Sequence, residues 1–365
     1  MPSPFEAARV RDLQQVVLDQ SDSVIRAYDD KAHFLGMLKT GAQPSNEYAE
    51  WTADAPPNPV DGPVVEGADK DDSYGSYQAR KLKNHSEEQR SKGWKVSTRA
   101  QAIHQKDVAN EAAKQRLRDE ENHVMGWEAK LLSNQDADDG SGNDSGITKT
   151  RCVGNWLLPV IGTSAYAANG GATVFAQRTL DPIPADIAVT PGQYYDGTLA
   201  KLDEATFKLI CAAAANQVVG GIDLVMHAGM ALKMQMTGWA LNPTATVQAN
   251  MVVTRFAMLD AMSKKLVTAV DWFQNDAGIV RSMLSFWVNR TLTDRTWQKT
   301  ALSDASGYAI NPKFWSINWL NPIQHFDPNK GNSKGGGLRG YHQSDGMLKP
   351  GTVQGQFAIV PNALA

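Results

Sequence analysis

The stretch DGPVVEGADKDDSYGSYQARKLKNHSEEQRSKGWKVSTR, residues 61–99, decides how this chain must be read. Its first part is acidic: Asp61, Glu66, Asp69, Asp71 and Asp72 stand against the lone base Lys70. Its second part is basic: Arg80, Lys81, Lys83, Arg90, Lys92, Lys95 and Arg99 stand against Glu87 and Glu88. Large apolar residues are confined to Val64, Val65, Leu82, Trp94 and Val96, too few to form a core. The stretch is therefore expected to be an exposed excursion, a long hairpin. Two readings of its charges stand side by side. In one they pair internally in a solvated loop. In the other the hairpin projects and docks on a neighbouring copy through complementary charge. The contact candidates in that reading are Glu66, Asp69, Asp71, Asp72, Arg80, Lys81, Lys83, Trp94 and Lys95.

Upstream, residues 51–65 carry Pro56, Pro57, Pro59 and Pro63, which exclude helix and favour extended backbone. With the weak amphipathic patterning before it, this makes residues 1–60 an arm that must lie against something else. Downstream, residues 105–134 read as one long helix. Asp107 is the N-cap, and Ala113, Leu117, Val124, Trp127 and Leu131 form a narrow apolar stripe. The Asp/Gly/Ser stretch to Gly146 ends it. Residues 151–200 mix short strands with turns. Residues 203–219 are helical behind an Asp203 cap, and Gly220–Gly221 stops them. A buried strand at 222–227, helices at 229–237 and 244–264, and a hairpin turning at 275–278 follow. The aromatic run Phe314 to Leu320 and the terminal residues 356–365 read as strands, and residues 331–340 as a flexible loop.

Composition narrows the function. A length of 365 residues exceeds what one compact core usually serves, so two lobes or an elongated shape are expected. Charged residues at 21% and hydrophobic residues at 42% are ordinary globular values, which excludes wholesale disorder. Ten Trp point to wide contact surfaces. A net charge of -3 lacks the cationic excess that sequence-independent DNA binding needs. Cys152 and Cys211 belong to no CxxC pair, so neither a zinc cluster nor a disulfide framework is expected. The opening residues show no apolar signal region, and no run approaches a membrane span.

Strings that could carry chemistry fail on context. Gly335-x-Gly337-x-x-Gly340 fits a dinucleotide fingerprint but lacks the flanking strand and helix, so a loop is expected. Asp136, Asp138, Asp139, Asn143 and Asp144 miss the calcium-loop spacing. No two of the seven His have a metal-ligand spacing. Asn143-Asp144-Ser145-Gly146 echoes a serine-nucleophile string in a stretch that could not hold an oxyanion hole. Met226, Met230, Met234, Met236, Met251, Met258 and Met262 read as core packing, with a plastic contact surface as the alternative. No catalytic residue, metal or cofactor is expected.

The order of parts resembles the major capsid proteins of tailed bacteriophages, with the Hong Kong 97-like fold. Glu50-Trp51 with Asp54, Val65-Glu66-Gly67, Arg80 and Asn84, and Val96-Ser97-Thr98 follow the pattern of phage major head proteins. Glu111, Gln115 and Asp119-Glu120 on the helix continue it. So do Gly154, the Gly220-Gly221-Ile222-Asp223 turn and the hairpin from Asn275 to Val280. The resemblance spans residues 45 to 290; residues 160–200, Lys92-Gly93-Trp94 and the Gly-rich 331–340 depart from it. It implies an α+β chain divided into a 1–60 N-terminal arm, a 61–104 extended loop and a 105–134 spine helix of the peripheral domain. Peripheral strands and loops at 135–200, an axial domain at 201–300 and a C-terminal return to the peripheral domain at 301–365 would follow. It also implies self-assembly into hexamers and pentamers of an icosahedral shell in the virion, built in the host cytoplasm. Portal and scaffolding proteins would be partners, a decoration protein could join them, and double-stranded DNA would be cargo only. A cellular nanocompartment shell of the same fold and an oligomeric α+β enzyme are the rival readings. No motif here would carry the Lys–Asn isopeptide bond of the fold's type member.

Overall fold

The structure of the chain, a computed structural model, describes residues 32–54, 66–67, 80–97, 99–100, 111–141, 146–160, 166, 180–218, 220–241, 259–260, 265–266, 271–327 and 337–361. Its organising element is a six-stranded sheet. The strands run in the order Trp272–Asn275, Gly278–Leu284, Ile222–Ala228, Gly307–Ile310, Phe357–Ile359 and Tyr194–Tyr195. Side chains alternate across a strand, so each strand feeds two faces. Here both faces are buried. Tyr308, Ile310, Ala358 and Tyr194 enter one core with Trp127, Trp156 and Trp315. Ala309, Phe357, Ile359 and Tyr195 enter a second core with Phe207, Ile210, Leu224 and Val280. The sheet is thus a partition between two lobes.

The second core is closed by the helix Glu204–Ala215. Asp203 caps it, its side chain accepting the Thr206 N–H at 2.7 Å, and Phe207, Ile210, Cys211 and Ala214 face inward as the spacing predicts. Gly220 and Gly221 then turn the chain into the strand Ile222–Ala228. At Gly221, φ is +81°, and an added Cβ would meet the Ala277 carbonyl oxygen at 2.9 Å, so both backbone freedom and close approach demand glycine. The helix Met230–Leu241 follows. Most of the expected helix 244–264 lies outside the described residues; its described part, Leu259–Asp260, pairs antiparallel with Lys265–Leu266 as strand.

The first core is covered by a five-stranded sheet dominated by one long hairpin, Trp315–Phe326 with Gly337–Pro350. Lys39–Thr40 adds in parallel to the first arm. Glu87–Arg90 and Trp94–Ser97 add antiparallel to the second. Two expectations fall here. Glu87–Arg90 and Trp94–Ser97, placed by sequence in the 61–104 excursion, are sheet strands that pair with the polar backbone of the second arm. The Gly-rich 331–340 segment is not all loop: Gly337 and Gly340 lie in a strand opposite Ser97 and Trp94, which removes the dinucleotide reading. Residues 328–336 lie outside the described residues.

The helix Glu111–Leu131 crosses this sheet. Residues 105–110, with the expected cap Asp107, lie outside the described residues. Trp127 and Leu131 are buried as predicted, but Leu117 is 55% exposed and Ala113 is exposed. The buried face is instead Ala112, Asp119, His123 and Trp127. The helix meets the sheet through hydrogen bonds as well as apolar contact, so a count of apolar residues alone rotated the stripe. Trp127 packs edge-on against Trp319 at 5.1 Å.

Because Phe357 lies in an inner strand of the partition and is fully buried against Phe207, Phe357→Ala should destabilise the isolated subunit by roughly 3–5 kcal/mol. Denaturant unfolding measures this, and a loss below ~1 kcal/mol would contradict the placement.

Candidate functional site

The charged hairpin springs from the antiparallel pair Tyr48–Ala53 and Arg80–His85, with Ala53 opposite Arg80 and Tyr48 opposite His85. Residues 55–65 and 68–79, including Asp69, Asp71 and Asp72, lie outside the described residues; Glu66 is exposed. The base is plugged into the first core by Leu82 and Ala53, with Trp51 packed beside them. Alternation puts Lys81 outward and Leu82 inward, and places Asn84, fully buried, beneath the sheet.

Asn84 is the centre of a polar network. Its Nδ2 donates to Thr150 Oγ1 at 3.0 Å, to the Leu348 carbonyl at 2.6 Å and to the Arg151 carbonyl at 3.3 Å. Its Oδ1 accepts the N–H groups of His85 at 2.9 Å and Arg151 at 2.8 Å. Beside it Lys130 and Glu87 form a buried ion pair. Glu87 also accepts Gln135 Nε2 at 2.7 Å and the Thr150 N–H at 3.1 Å. Burial pulls the Lys130 ammonium down to about 8, so it remains a cation at neutral pH. Buried charges persist only when matched in this way.

Arg151, also fully buried, donates to Asp136 at 2.9 Å and to the carbonyls of Asp181 and Leu180 at 3.0 and 2.8 Å, with its guanidinium 4.9 Å from the Trp156 ring. Asp181 in turn receives the hairpin. Its carboxylate lies 2.7 Å from His85 Nε2 and 3.4 Å from Lys83 Nζ. Arg80 pairs with Asp186 at 2.6 Å. Two candidates for contact with another copy, Arg80 and Lys83, therefore have partners in their own chain. Lys81 is exposed and makes no ion pair with a described residue. Trp94 stacks on His325 at 5.9 Å, and Lys95 stands opposite Arg339 in the ladder. The structure thus brings Arg80, Lys83 and His85 together on one aspartate-bearing segment and leaves Trp94 and Lys95 on a separate sheet edge.

The long helix also holds the start of the described chain. Glu128 accepts the N–H groups of Phe34 and Leu35 at 2.8 and 2.7 Å, which orders the short helix His33–Met37. Burial raises the Glu128 carboxyl to about 7, against the lowering effect of those two N–H groups. Phe34 packs edge-on at 5.4 Å against His227, whose ring nitrogens are buried without partners and whose pKa burial pulls down to about 4, with His33 a smaller cause. Asn84 appears in the capsid-like string, but nothing in its spacing signalled this density of bonds; Glu128 and Arg151 carried no sequence signal at all.

Could any of this be catalytic? A cleft of about 1100 Å³ runs beside the helix and is lined by Ser91, Asp119, His123 and Lys130 among others. Ser91 Oγ donates to Asp119 Oδ2 at 2.5 Å, and His342 Nδ1 lies 2.8 Å from the same oxygen. The serine is thus bonded to the acid, not to an imidazole that could take its proton. His123 lies 2.7 Å from Ser344 Oγ, which also accepts the Trp127 indole N–H. Its pKa is lowered to about 4, first by burial and then by His342. Burial raises both thiols, Cys152 and Cys211, to about 12, so neither is a thiolate nucleophile. Among the described residues no group of His, Cys, Asp and Glu could hold a metal. These groups tie elements together.

The model of the SU10 major capsid protein family matches residues 7–339. No curated protein matches the sequence. Solved structures do. The mature capsid of bacteriophage PhiM1 aligns with a TM-score of 0.53 at 10% identity, over 95% of this chain and 92% of that one. The capsid of cyanophage P-SCSP1u gives 0.52 at 10% identity over 99% and 98%. Cyanophage A-1(L) gives 0.51 at 12% over 97% and 98%. The architecture is therefore the Hong Kong 97-like α+β fold.

Asn84→Leu keeps the branching at Cγ but removes the partner of the His85 and Arg151 N–H groups and of the Leu348 and Arg151 carbonyls. It should cost about 3 kcal/mol or more of subunit stability in denaturant unfolding, and a cost under ~1 kcal/mol would show the network to be dispensable. The pH dependence has two limbs. The depressed histidines His123 and His227 contribute stability that is present above their ordinary 6.5 and lost as pH falls through about 4. The raised Glu128 contributes stability that is present below its ordinary 4.5 and lost as pH rises through about 7. His227→Leu should flatten the acid limb, retaining about 2–3 kcal/mol that the parent chain loses between pH 6.5 and 4. Parallel curves for the two proteins would refute the assignment.

Proposed function

Because this chain belongs to the SU10 major capsid protein family and is a phage major capsid protein, we propose that its copies, as hexamers and pentamers, enclose a double-stranded DNA genome in an icosahedral head. It is a structural protein that forms a shell with its own kind, and its place is the virion capsid. Assembly takes place in the host cytoplasm around a scaffold and a portal, with room for a decoration protein. The observation that carries the reading is the sign-segregated hairpin. Its base is locked into the body while Glu66 and Lys81 remain exposed and the acidic run Asp69, Asp71 and Asp72 lies beyond that base in sequence. An acidic segment of this kind is best satisfied by a sibling's cations.

A structural rather than catalytic role is supported by the described groups: the Ser91 hydroxyl is bonded to Asp119, the His123 ring to Ser344, and burial keeps both thiols protonated. The axial unit is proposed to be the lobe of the second core, residues near 203–284. The peripheral unit is the first core with the long helix. The extended loop is bounded by the strands Tyr48–Ala53 and Arg80–His85 rather than by residues 61 and 104. The contact set is Glu66, Asp69, Asp71, Asp72, Lys81, Trp94 and Lys95, with Arg80 and Lys83 bound to their own chain first. A weakly negative chain overall suits a wall that must not trap its cargo.

Negative-stain microscopy of the expressed chain, alone and with a scaffolding protein, tests this directly. Closed shells are expected, and material that stays monomeric in both conditions would overturn the reading. Reversing the acidic run, with Asp69, Asp71 and Asp72 all changed to Lys, should abolish or misdirect shell formation at physiological salt while leaving unfolding of the free subunit within ~0.5 kcal/mol of the parent. Normal shells from that variant would remove charge docking.

A further inference from the structure

The segment Asp181-Pro182-Ile183-Pro184-Ala185-Asp186 meets the hairpin base at its two ends, through Asp181 and Asp186. It is anchored to the body independently of the hairpin. Ile183 and Ile187 are buried in the first core, two prolines stiffen it, and the Asp186 carbonyl accepts Gln354 Nε2 at 2.9 Å. Asp181 has φ +46° although it is not glycine and precedes a proline. Such a backbone persists only where its surroundings hold it. Those surroundings are unusual. The carbonyl of Asp181 is gripped by the buried guanidinium of Arg151, and its carboxylate, 16% exposed, faces both Lys83 and His85 on the hairpin. One residue therefore faces the body with its backbone and the hairpin with its side chain. The companion pair Arg80–Asp186 is 38% exposed on both sides, so solvent screens it far more.

We propose that Asp181 is the pivot that fixes the angle at which the charged hairpin leaves the subunit, and so a positioning residue for shell assembly. The role in assembly rests on the capsid reading above; the mechanical role does not. Removing the carboxylate charge leaves Lys83 and His85 facing an uncharged wall, and the hairpin base then keeps its strand pairing, its apolar plug, the Asn84 bonds and the screened Arg80–Asp186 pair, but no anionic partner for those two side chains. Removing Asp186 leaves the Asp181 contacts in place.

The test uses the full chain. Asp181→Asn keeps a side chain that tolerates positive φ while deleting the charge, and Asp181→Gly removes the side chain and relieves the backbone. Hydrogen exchange followed by mass spectrometry on free subunits reads the amides of Tyr48–Ala53 and Arg80–His85 against those of Ile222–Ala228 in the partition sheet. Both variants should exchange roughly tenfold faster at the hairpin base with the sheet unchanged. Asp186→Asn should change the hairpin by no more than about threefold. Under conditions where the parent forms uniform shells, Asp181→Asn should give a broadened range of particle diameters. Unchanged hairpin exchange in both Asp181 variants overturns the pivot, as does an equal rise in hairpin and sheet, which would mark a merely structural residue. Should Asp181→Asn fail to fold, Lys83→Met with His85→Gln removes the same contacts from the hairpin side and is read by the same criteria. If the parent itself never assembles, the capsid reading fails while the exchange data still decide the pivot.

Discussion

The buried guanidinium of Arg151 is the constraint from which much of the first lobe follows. A permanent cation without water must be surrounded by acceptors, and here they come from two distant parts of the chain: Asp136 after the long helix, and the backbone of Leu180 and Asp181 at the start of the proline-rich segment. The backbone of the same residue bonds Asn84, and Asn84 bonds the C-terminal hairpin through Leu348. Elements remote in sequence are thereby fixed to one point. An apolar core alone would hold them together but would let them slide, since its attraction has no direction. Directional bonds set the register. The Glu87–Lys130 pair has the same effect one step away, and losing either partner would leave an uncompensated buried charge costing several kcal/mol.

A second consequence of the arrangement is economy of sheet. One sheet whose two faces both carry apolar side chains serves both cores, and the five-stranded sheet adds a second cover to the first core only. This explains why Gly307–Ile310 and Phe357–Ile359 are buried on both sides and read as continuous apolar runs rather than alternating ones. It also ties the C-terminal segment to both lobes, which a linear division of the chain into domains does not capture.

Much of this was legible beforehand. The Asp203 cap, the inward face of the following helix and the hairpin at Asn275 are local signals, set by neighbours within a few residues, and the structure has them as expected, although the helix ends at Ala215 rather than at Gly220–Gly221. The closing strand was visible as an apolar run. What was not legible is non-local and polar. The long helix buries Asp119 and His123 because Ser91, His342 and Ser344 await them across the sheet, and no periodicity in the helix announces those partners. The basic limb looked like a solvent-exposed excursion because its acceptors, Asp181 and Asp186, lie about a hundred residues away.

The long C-terminal hairpin has a mechanical meaning. Trp315–Phe326 and Gly337–Pro350 are joined by hydrogen bonds along most of their length, and the helix Glu111–Leu131 packs against the second arm. Tension along the strands loads those bonds together, so many must yield at once. Tension across them opens the ladder one bond at a time from its end. A wall made of such units is stiff in one direction and tearable in the other, and the orientation of this hairpin relative to the shell surface decides which way the pressure of packed contents is resisted.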